Sequence, residues 1–193
     1  ASGSNISYSI YADWLLDPAR RSGDITIIEQ ETVDSYYYYV FVFHDRLRDE
    51  ENTHTVRHLL VRAGLGTGTP SQEQYDQAEE NAKSLLEEWK SGEATQDSFA
   101  QLAADHSSDT SSAANGGLIS GINSNSNYVE PFKNWATDST RKEGDVELVK
   151  SDYGWHIMYY VSTDDPTWKI TAGNALRSQD YEQLAADAAQ GWN

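Results

Sequence analysis

Two short apolar stretches decide the fold of this chain: residues 56–61, Val-Arg-His-Leu-Leu-Val, and residues 153–158, Tyr-Gly-Trp-His-Ile-Met. Both are rich in leucine, aromatic or β-branched residues and are bounded by turn formers, which predicts buried β-strands. Each stretch holds one histidine, His58 or His156, and a buried imidazole needs a hydrogen-bond partner. If the two strands are neighbours in one sheet, the imidazoles form a buried polar centre. Alternatively, each is a core histidine with a partner of its own.

The composition limits the classes of partner. The 193 residues include 31 acidic and 14 basic side chains, which gives a net charge of -17. Such a surface repels phosphate backbones and anionic lipids, so we expect no nucleic-acid partner. Unfolded or cationic polypeptide is a more plausible partner, although an acidic surface also serves solubility alone.

The chain contains no cysteine. Disulfides, thiolate metal sites and a cysteine nucleophile are therefore excluded. No apolar run approaches the roughly 20 residues of a membrane span, and no signal peptide is visible. We expect any export signal or membrane anchor to lie outside this sequence.

The region between the two stretches carries helical and loop signals. Apolar residues spaced three and four apart predict a helix from about residue 72 to Lys90, opened by a capping box of Ser71 and Gln74 and closed near Gly92. A second helix is expected from Gln96 to Asp105, a loop from His106 to Gly117, a short helix from Pro131 to Ala136, and a strand from Val146 to Lys150. The predicted order over residues 53–162 is β, α, α, loop, β, α, β, β.

The Gly-rich segment 63–71 could be mistaken for a phosphate-binding loop. It lacks the Gly-Lys-Ser/Thr ending and the glycine spacing of a dinucleotide site. We therefore expect no phosphate binding there.

An internal repeat links the N-terminal segment to residues 135–149. The matching residues are Trp14, Asp17, Arg20, Arg21, Gly23, Asp24, Ile25, Ile27 and Ile28 against Trp135, Asp138, Arg141, Lys142, Gly144, Asp145, Val146, Leu148 and Val149. The Tyr-rich strand 36–42 extends the similarity. This pattern indicates the tail half of a second, degenerate copy of one unit. The copy has no histidine in its strand, so we expect a structural role; coincidence is the alternative.

The C-terminal segment predicts one more helix, from about Gly173 to Ala189. It could dock on the Tyr-rich N-terminal strand or on another chain. The terminal segments are therefore candidates for a homodimer interface.

Six motifs follow one another along the chain: His58-Leu59-Leu60-Val61, Phe99-Ala100-Gln101-Leu102-Ala103, Ser107-Ser108-Asp109, Asn115-Gly116-Gly117-Leu118, residues 129–132 and Tyr153-Gly154-Trp155-His156-Ile157. In this order they resemble the parvulin family of peptidyl-prolyl cis-trans isomerases, in the form found in bacterial extracytoplasmic foldases. The resemblance implies an α+β fold, a four-stranded antiparallel sheet wrapped by helices. It divides the chain into an N-terminal β-rich segment, 1–52, an isomerase domain, 53–162, and a C-terminal helical segment, 163–193.

The resemblance also implies the site residues. The polar group comprises His58, Asp109, His156 and Ser151, and the apolar wall that receives the proline ring comprises Leu60, Leu118, Tyr128 and Phe132. No cofactor and no metal is implied. Where the family usually has Asp-Leu-Gly after the glycine pair, this chain has Leu118-Ile119-Ser120, and Tyr128 stands where methionine is common.

The implied activity is non-covalent isomerisation of X-Pro bonds in unfolded polypeptides, by an extracytoplasmic protein anchored through a segment absent from this chain. Only Arg62 is available in the loop that would bind a phosphate, so no phosphate requirement is expected. The main alternative is a non-catalytic holdase that binds unfolded chains. A zinc site at His54 and His58 is disfavoured, because four residues of a strand span about 13 Å. Chance pairs among many acidic residues also make glycoside hydrolysis a poor candidate.

Overall fold

The computed structural model describes residues 10–46, 48–64 and 68–190, with the backbone alone for residues 186–190. The chain forms two compact units, Ala1–Arg48 and Asp49–Asn193. Residues 65–67, part of the Gly-rich loop considered for phosphate binding, lie outside the described residues.

The N-terminal unit is a short helix followed by a β-hairpin. Its elements are α1 (Ala12–Leu16), β1 (Ile25–Glu31) and β2 (Tyr36–Val42). The two strands pair antiparallel, from Ile25 opposite Val42 to Glu31 opposite Tyr36. The ring of Trp14 packs against Phe41 and Phe43, so α1 covers one face of the hairpin.

The larger unit is an α+β domain, as predicted. Its elements are β3 (Thr53–Arg62), α2 (Gln72–Ser91), α3 (Gln96–His106), α4 (Thr110–Ala113), β4 (Leu118–Ile122), α5 (Glu130–Ala136), β5 (Val146–Ser151), β6 (Gly154–Asp164) and α6 (Thr167–Gln190). Four strands form an antiparallel sheet in the order β4-β3-β6-β5. The two histidine-bearing stretches are therefore its two central strands.

The central position of β3 and β6 explains their nearly unbroken apolar sequences, since both edges and both faces of these strands are covered. Helices α2 and α3 pack on one face, and α5 packs on the other. The first core contains Leu59, Ala82, Leu86, Phe99, Ala103, Ile157 and Tyr159. The second core contains Val56, Ile122, Phe132, Trp135, Ala136, Met158 and Tyr160. Each large apolar side chain buried in this way contributes about 1.5–3 kcal/mol to folding.

The predicted caps of α2 are present, and α3 begins with a cap of the same kind. The Ser71 hydroxyl accepts a hydrogen bond from the backbone N–H of Gln74 at 3.3 Å, and the side-chain oxygen of Gln74 accepts one from the backbone N–H of Ser71 at 2.8 Å. Thr95 caps α3 in the same way. Gly92 ends α2. These reciprocal bonds satisfy amides that have no partner within the helix.

Two helical features differ from the prediction by more than one residue. The loop from His106 to Gly117 contains the one-turn helix α4, which Asp109 caps by accepting a bond from the Ser111 amide. Helix α6 begins at Thr167 rather than Gly173, because the Pro166 carbonyl already accepts hydrogen bonds from the amides of its first turn. No helix in the described part of the chain is long and apolar enough to span a membrane.

Candidate active site

The two predicted histidines meet at the centre of the sheet. In the β3–β6 register Leu60 lies opposite His156, so His58 is two residues away along β3, on the same face. The His58 and His156 rings are stacked with centroids 5.5 Å apart, and their Nδ1 atoms are 3.3 Å apart. Both side chains are buried.

A carboxylate and a hydroxyl hold the outer nitrogen of His58. Its Nε2 lies 2.8 Å from Asp109 Oδ2 and 3.0 Å from Ser112 Oγ. Ser112 in turn donates to Asp109 Oδ2 at 2.6 Å, and the Ser111 hydroxyl donates to Oδ1 at 2.6 Å. Asp109 can therefore orient the imidazole while its second oxygen is held by α4.

The outer nitrogen of His156 is held by a hydroxyl. Ser151 Oγ lies 2.8 Å from His156 Nε2 and accepts a hydrogen bond from the Tyr153 amide at 3.2 Å. Because that amide already occupies an acceptor position of Ser151, the hydroxyl hydrogen is available to His156.

One assignment of the hydrogen atoms satisfies every hydrogen bond between Asp109, His58, His156 and Ser151. The ionised Asp109 accepts the proton on His58 Nε2, which leaves His58 Nδ1 as an acceptor. His156 Nδ1 then donates to His58, and His156 Nε2 accepts from Ser151. The two imidazoles are neutral in this arrangement, and the assignment follows from the acceptor chemistry.

The pKa values of the three ionisable groups agree with this assignment. Burial, followed by the neighbouring His58, lowers the pKa of His156 to about 4. Burial also lowers the pKa of His58, although the hydrogen bond and charge of Asp109 act in the opposite direction. Burial tends to raise the pKa of Asp109, but the hydrogen bonds from Ser111, Ser112 and His58 outweigh it and lower that pKa to about 2. At neutral pH the site therefore holds two neutral imidazoles and one carboxylate.

A glycine allows the backbone to approach the first histidine. The Gly117 carbonyl accepts a hydrogen bond from the His58 amide at 2.9 Å. Gly117 has φ +69°, and a Cβ there would overlap the His58 carbonyl. Only glycine allows the two backbones to approach so closely. This close contact positions β4 and the start of the apolar wall.

The apolar wall lies beside the imidazole pair. Phe132, which is buried, packs edge-on against His58 and His156 with centroids 5.2 Å and 5.6 Å away. Tyr128 packs on Phe132 at 5.2 Å and keeps 42% of its surface exposed. With Leu60 and Leu118 they border a cavity of about 670 Å³, and both histidines and Asp109 also line it.

Seven of the eight predicted site residues thus border one cavity, and Ser151 lies behind it, on His156. Ser112 and Val129 also border the cavity; Ser112 was not predicted from the sequence, and Val129 was quoted only as part of the 129–132 motif. Ser112 could have been found, because an aspartate followed by several hydroxyl residues is typical of a helix N-cap.

His54 lies apart from this group. Its Nδ1 is 2.7 Å from the Tyr160 hydroxyl. Within the described residues no group of three or more histidine or acidic side chains is arranged to hold a metal ion.

The chain is similar to known proteins over much of its length. A family model described as rotamase, PPIC-type PPIASE domain, matches residues 58–162, which include both histidines and the apolar wall. The foldase protein PrsA 1 of Listeria innocua is 29% identical over 134 residues, covering 69% of this chain and 39% of that protein. The chaperone SurA of Pseudomonas savastanoi pv. phaseolicola is 31% identical over 143 residues, covering 72% of this chain and 30% of that protein.

Two solved structures are among those to which the chain is similar. The crystal structure of the peptidylprolyl isomerase PrsA from Bacillus anthracis matches with a TM-score of 0.46 and 21% identity, covering 69% of this chain and 52% of that one. The solution structure of the parvulin of Nitrosopumilus maritimus matches with a TM-score of 0.40 and 27% identity, covering 57% of this chain and 97% of that one.

The family model spans more than half of the chain and includes the histidine-bearing parts of both central strands, and it defines a peptidyl-prolyl cis-trans isomerase of the parvulin class. The chain belongs to the PPIC-type peptidyl-prolyl isomerase family. It spans less than two fifths of the length of the PrsA 1 and SurA relatives described above.

Proposed function

We propose that this chain isomerises X-Pro bonds in unfolded exported polypeptides without forming a covalent intermediate. The polar floor of the site is the group His58, His156, Asp109 and Ser151. The proline ring enters the apolar wall formed by Leu60, Leu118, Tyr128 and Phe132. No cofactor takes part.

One observation supports this proposal above the others: a neutral, hydrogen-bonded imidazole pair lies directly beneath an open apolar wall. Phe132 touches both rings and is itself covered by Tyr128. A proline ring placed on Phe132 would therefore bring its peptide bond close to the imidazoles.

The reaction requires this kind of surface. The peptide bond resists rotation by about 18–20 kcal/mol because the nitrogen lone pair is delocalised onto the carbonyl. The planar amide is more polar than the twisted amide, so water stabilises the planar form more. Moving the amide out of water lowers the barrier, and no bond needs to break.

The charge of the floor acts in the same direction. Positive charge beside the carbonyl oxygen would stabilise the delocalised form and slow rotation. Low pKa values keep His58 and His156 neutral, and Asp109 contributes a negative charge behind His58. The planar amide carries more negative charge on its carbonyl oxygen than the twisted amide does. A carbonyl oxygen held near these neutral imidazoles and the Asp109 carboxylate therefore gains little stabilisation in the planar form, which favours the twisted amide.

The relatives support a proposal for the clients and the location of this chain. Proteins named foldase and chaperone match this chain over more than two thirds of its length. We take the clients to be unfolded polypeptides outside the cytoplasm, in the cell envelope, with membrane attachment through a segment not contained in this chain.

The test is a protease-coupled isomerisation assay on a short X-Pro peptide. Asp109→Ala and His58→Ala should each lose activity while the circular dichroism spectrum stays unchanged. Asp109→Asn retains the shape of the side chain and provides a second variant if the alanine forms fail to fold. Asp180→Ala, on the exposed face of α6, is the matched control and should keep full activity. Full activity in folded Asp109→Ala and Asp109→Asn would refute the proposed floor.

A holdase is the second candidate. Helix α6 exposes Leu176, Tyr181 and Leu184, each with 62–75% of its surface accessible, and such side chains can bind unfolded chains. Suppression of aggregation without acceleration of X-Pro isomerisation would favour this function over catalysis.

A further inference from the structure

The N-terminal unit repeats the architecture of residues 130–164. In both places a short helix leads through a turn into an antiparallel hairpin, α1-β1-β2 in one and α5-β5-β6 in the other. The first pair of each hairpin is Ile25 opposite Val42 and Val146 opposite Tyr159. This register allows the residues of the two hairpins to be matched one to one.

The contacts between helix and turn are also repeated. The Arg20 guanidinium lies 4.6 Å from the Trp14 ring centroid, and the Arg141 guanidinium lies 4.5 Å from that of Trp135. Arg20 also pairs with Asp17 as Arg141 pairs with its own aspartate three residues earlier.

The turn between the helix and the first strand is closed by the same hydrogen bond in both segments. The amide of Gly23 donates to the Phe43 carbonyl at 2.8 Å, and the amide of Gly144 donates to the Tyr160 carbonyl at 3.0 Å. The two glycines have φ +91° and +87°. Since the sequence pattern and independent contacts coincide, the two segments are copies of one structural module.

The two copies differ in what covers them. In the larger unit the second edge of β6 pairs along its length with β3, and the face formed by Val146, Leu148, Trp155, Ile157 and Tyr159 packs in the core beneath α2 and α3. Among the described residues β2 pairs with β1 alone. The matching positions are Ile25, Ile27, Tyr38, Val40 and Val42, and each is 62–65% exposed.

The opposite face of the N-terminal hairpin is partly covered by α1, as the matching face of the larger unit is covered by α5. Phe43, which matches Tyr160, is only 8% exposed beneath Trp14. The bare face is therefore the one that α2 and α3 cover in the larger unit, and the free edge of β2 corresponds to the edge of β6 that pairs with β3. A two-stranded hairpin with an uncovered apolar face is at best marginally stable in water, so this surface needs a cover.

We infer that the N-terminal unit is the rear half of a second parvulin-like unit, and that the β2 edge and the bare face dock a front half made of one strand and two helices. The source is the same polypeptide ahead of residue 1, because in the larger unit β3, α2 and α3 precede the rear half in the chain, with α4 and β4 between them. A folded second copy has none to offer, since its β3 is paired on both edges. Tyr39 occupies the place of His156, so the completed unit lacks the imidazole pair.

Hydrogen exchange tests this inference independently of catalysis. The full-length polypeptide is compared with the 193-residue chain, and the β2 amides that point away from β1 are followed. In the full-length polypeptide these amides should exchange slower by on the order of 100-fold. Equal exchange in the two forms would overturn the inference.

Two other outcomes would also overturn it. Protection in the 193-residue chain that rises with its concentration would assign the edge to a second copy. Protection that appears only on addition of an unfolded X-Pro peptide would assign it to a client.

A substitution measured in both lengths provides a second test. Val40→Asp should greatly increase the exchange of β1 and β2 in the full-length polypeptide, where Val40 would be buried as Ile157 is, and should change it little in the 193-residue chain. Val33→Asp, the same change at a fully exposed position, should have little effect in either length. An equally small effect of Val40→Asp in both lengths would contradict the proposed burial.

Discussion

The Nδ1 atoms of His58 and His156 lie 3.3 Å apart across the two central strands, and each ring has its other nitrogen held by a different group. Two charged imidazoles could not share this contact, because their repulsion is unscreened in a buried site. Because burial also lowers the pKa of each imidazole, the pair is a neutral hydrogen-bonded unit at pH 7, and its protonation should destabilise the fold.

The first prediction concerns acid. The pKa of His156 is about 4 in the folded chain, against about 6.5 for an unfolded histidine, so the unfolded state binds more protons between these values. The free energy of unfolding should fall as the pH drops from about 6.5 to 4, by up to about 3 kcal/mol from this residue. Asp109, with its pKa lowered to about 2, adds a further loss below its usual value of 3.8. Urea denaturation at a series of pH values measures both.

A matched pair of variants isolates the histidine contribution. His156→Asn should flatten the decline between pH 6.5 and 4, whereas His106→Asn, at the exposed end of α3, should leave it unchanged. An unaltered slope in His156→Asn would show that another group controls the acid response.

The second prediction concerns Gly117. Gly117→Ala should destabilise the larger unit by more than about 1 kcal/mol, since it combines a positive φ with overlap of the His58 carbonyl. Gly121→Ala is the control, because Gly121 also has a positive φ, +77°, but its Cβ would meet nothing within 4 Å. Thermal melts of the two variants separate backbone strain from overlap, and equal losses would argue against a tight crossing.

The third prediction concerns Tyr128. Tyr128→Ala should raise KM for an X-Pro peptide several-fold while changing stability by about 1 kcal/mol or less, because this side chain is 42% exposed and borders the cavity. Tyr181→Ala removes an equally large but 75% exposed ring from α6 and should leave KM unchanged. Steady-state kinetics with the coupled assay measure KM for the two variants. Identical KM values would show that Tyr128 does not contribute to binding the proline ring.

The fourth prediction concerns substrate choice. Arg62 is the only lysine or arginine among the described residues that border the cavity, and phosphate recognition requires several charge-assisted donors. Peptides with alanine or lysine before proline should therefore be turned over at least as fast as the phosphoserine peptide. A clear preference for phosphoserine over both would contradict this.

Local sequence was sufficient for most elements. The capping box at Ser71 and Gln74 and the spacing of apolar residues place α2 correctly, since both depend on neighbours within one or two turns. The α4 turn was missed because four residues give too short a periodic signal. The early start of α6 was missed because the apolar pattern used to locate it begins only near Gly173, after the first turn.

The sequence alone determined which residues have the chemistry of the site: two histidines in apolar strands, an aspartate before hydroxyl residues, and aromatic residues near a short helix. The tertiary structure decided their distances and protonation. Strand pairing brings together residues far apart in the chain, and burial by three layers of structure shifts the imidazole pKa values. The same distinction applies to the N-terminal repeat, whose pattern is visible in the sequence, while its uncovered face emerges only when exposure is compared position by position.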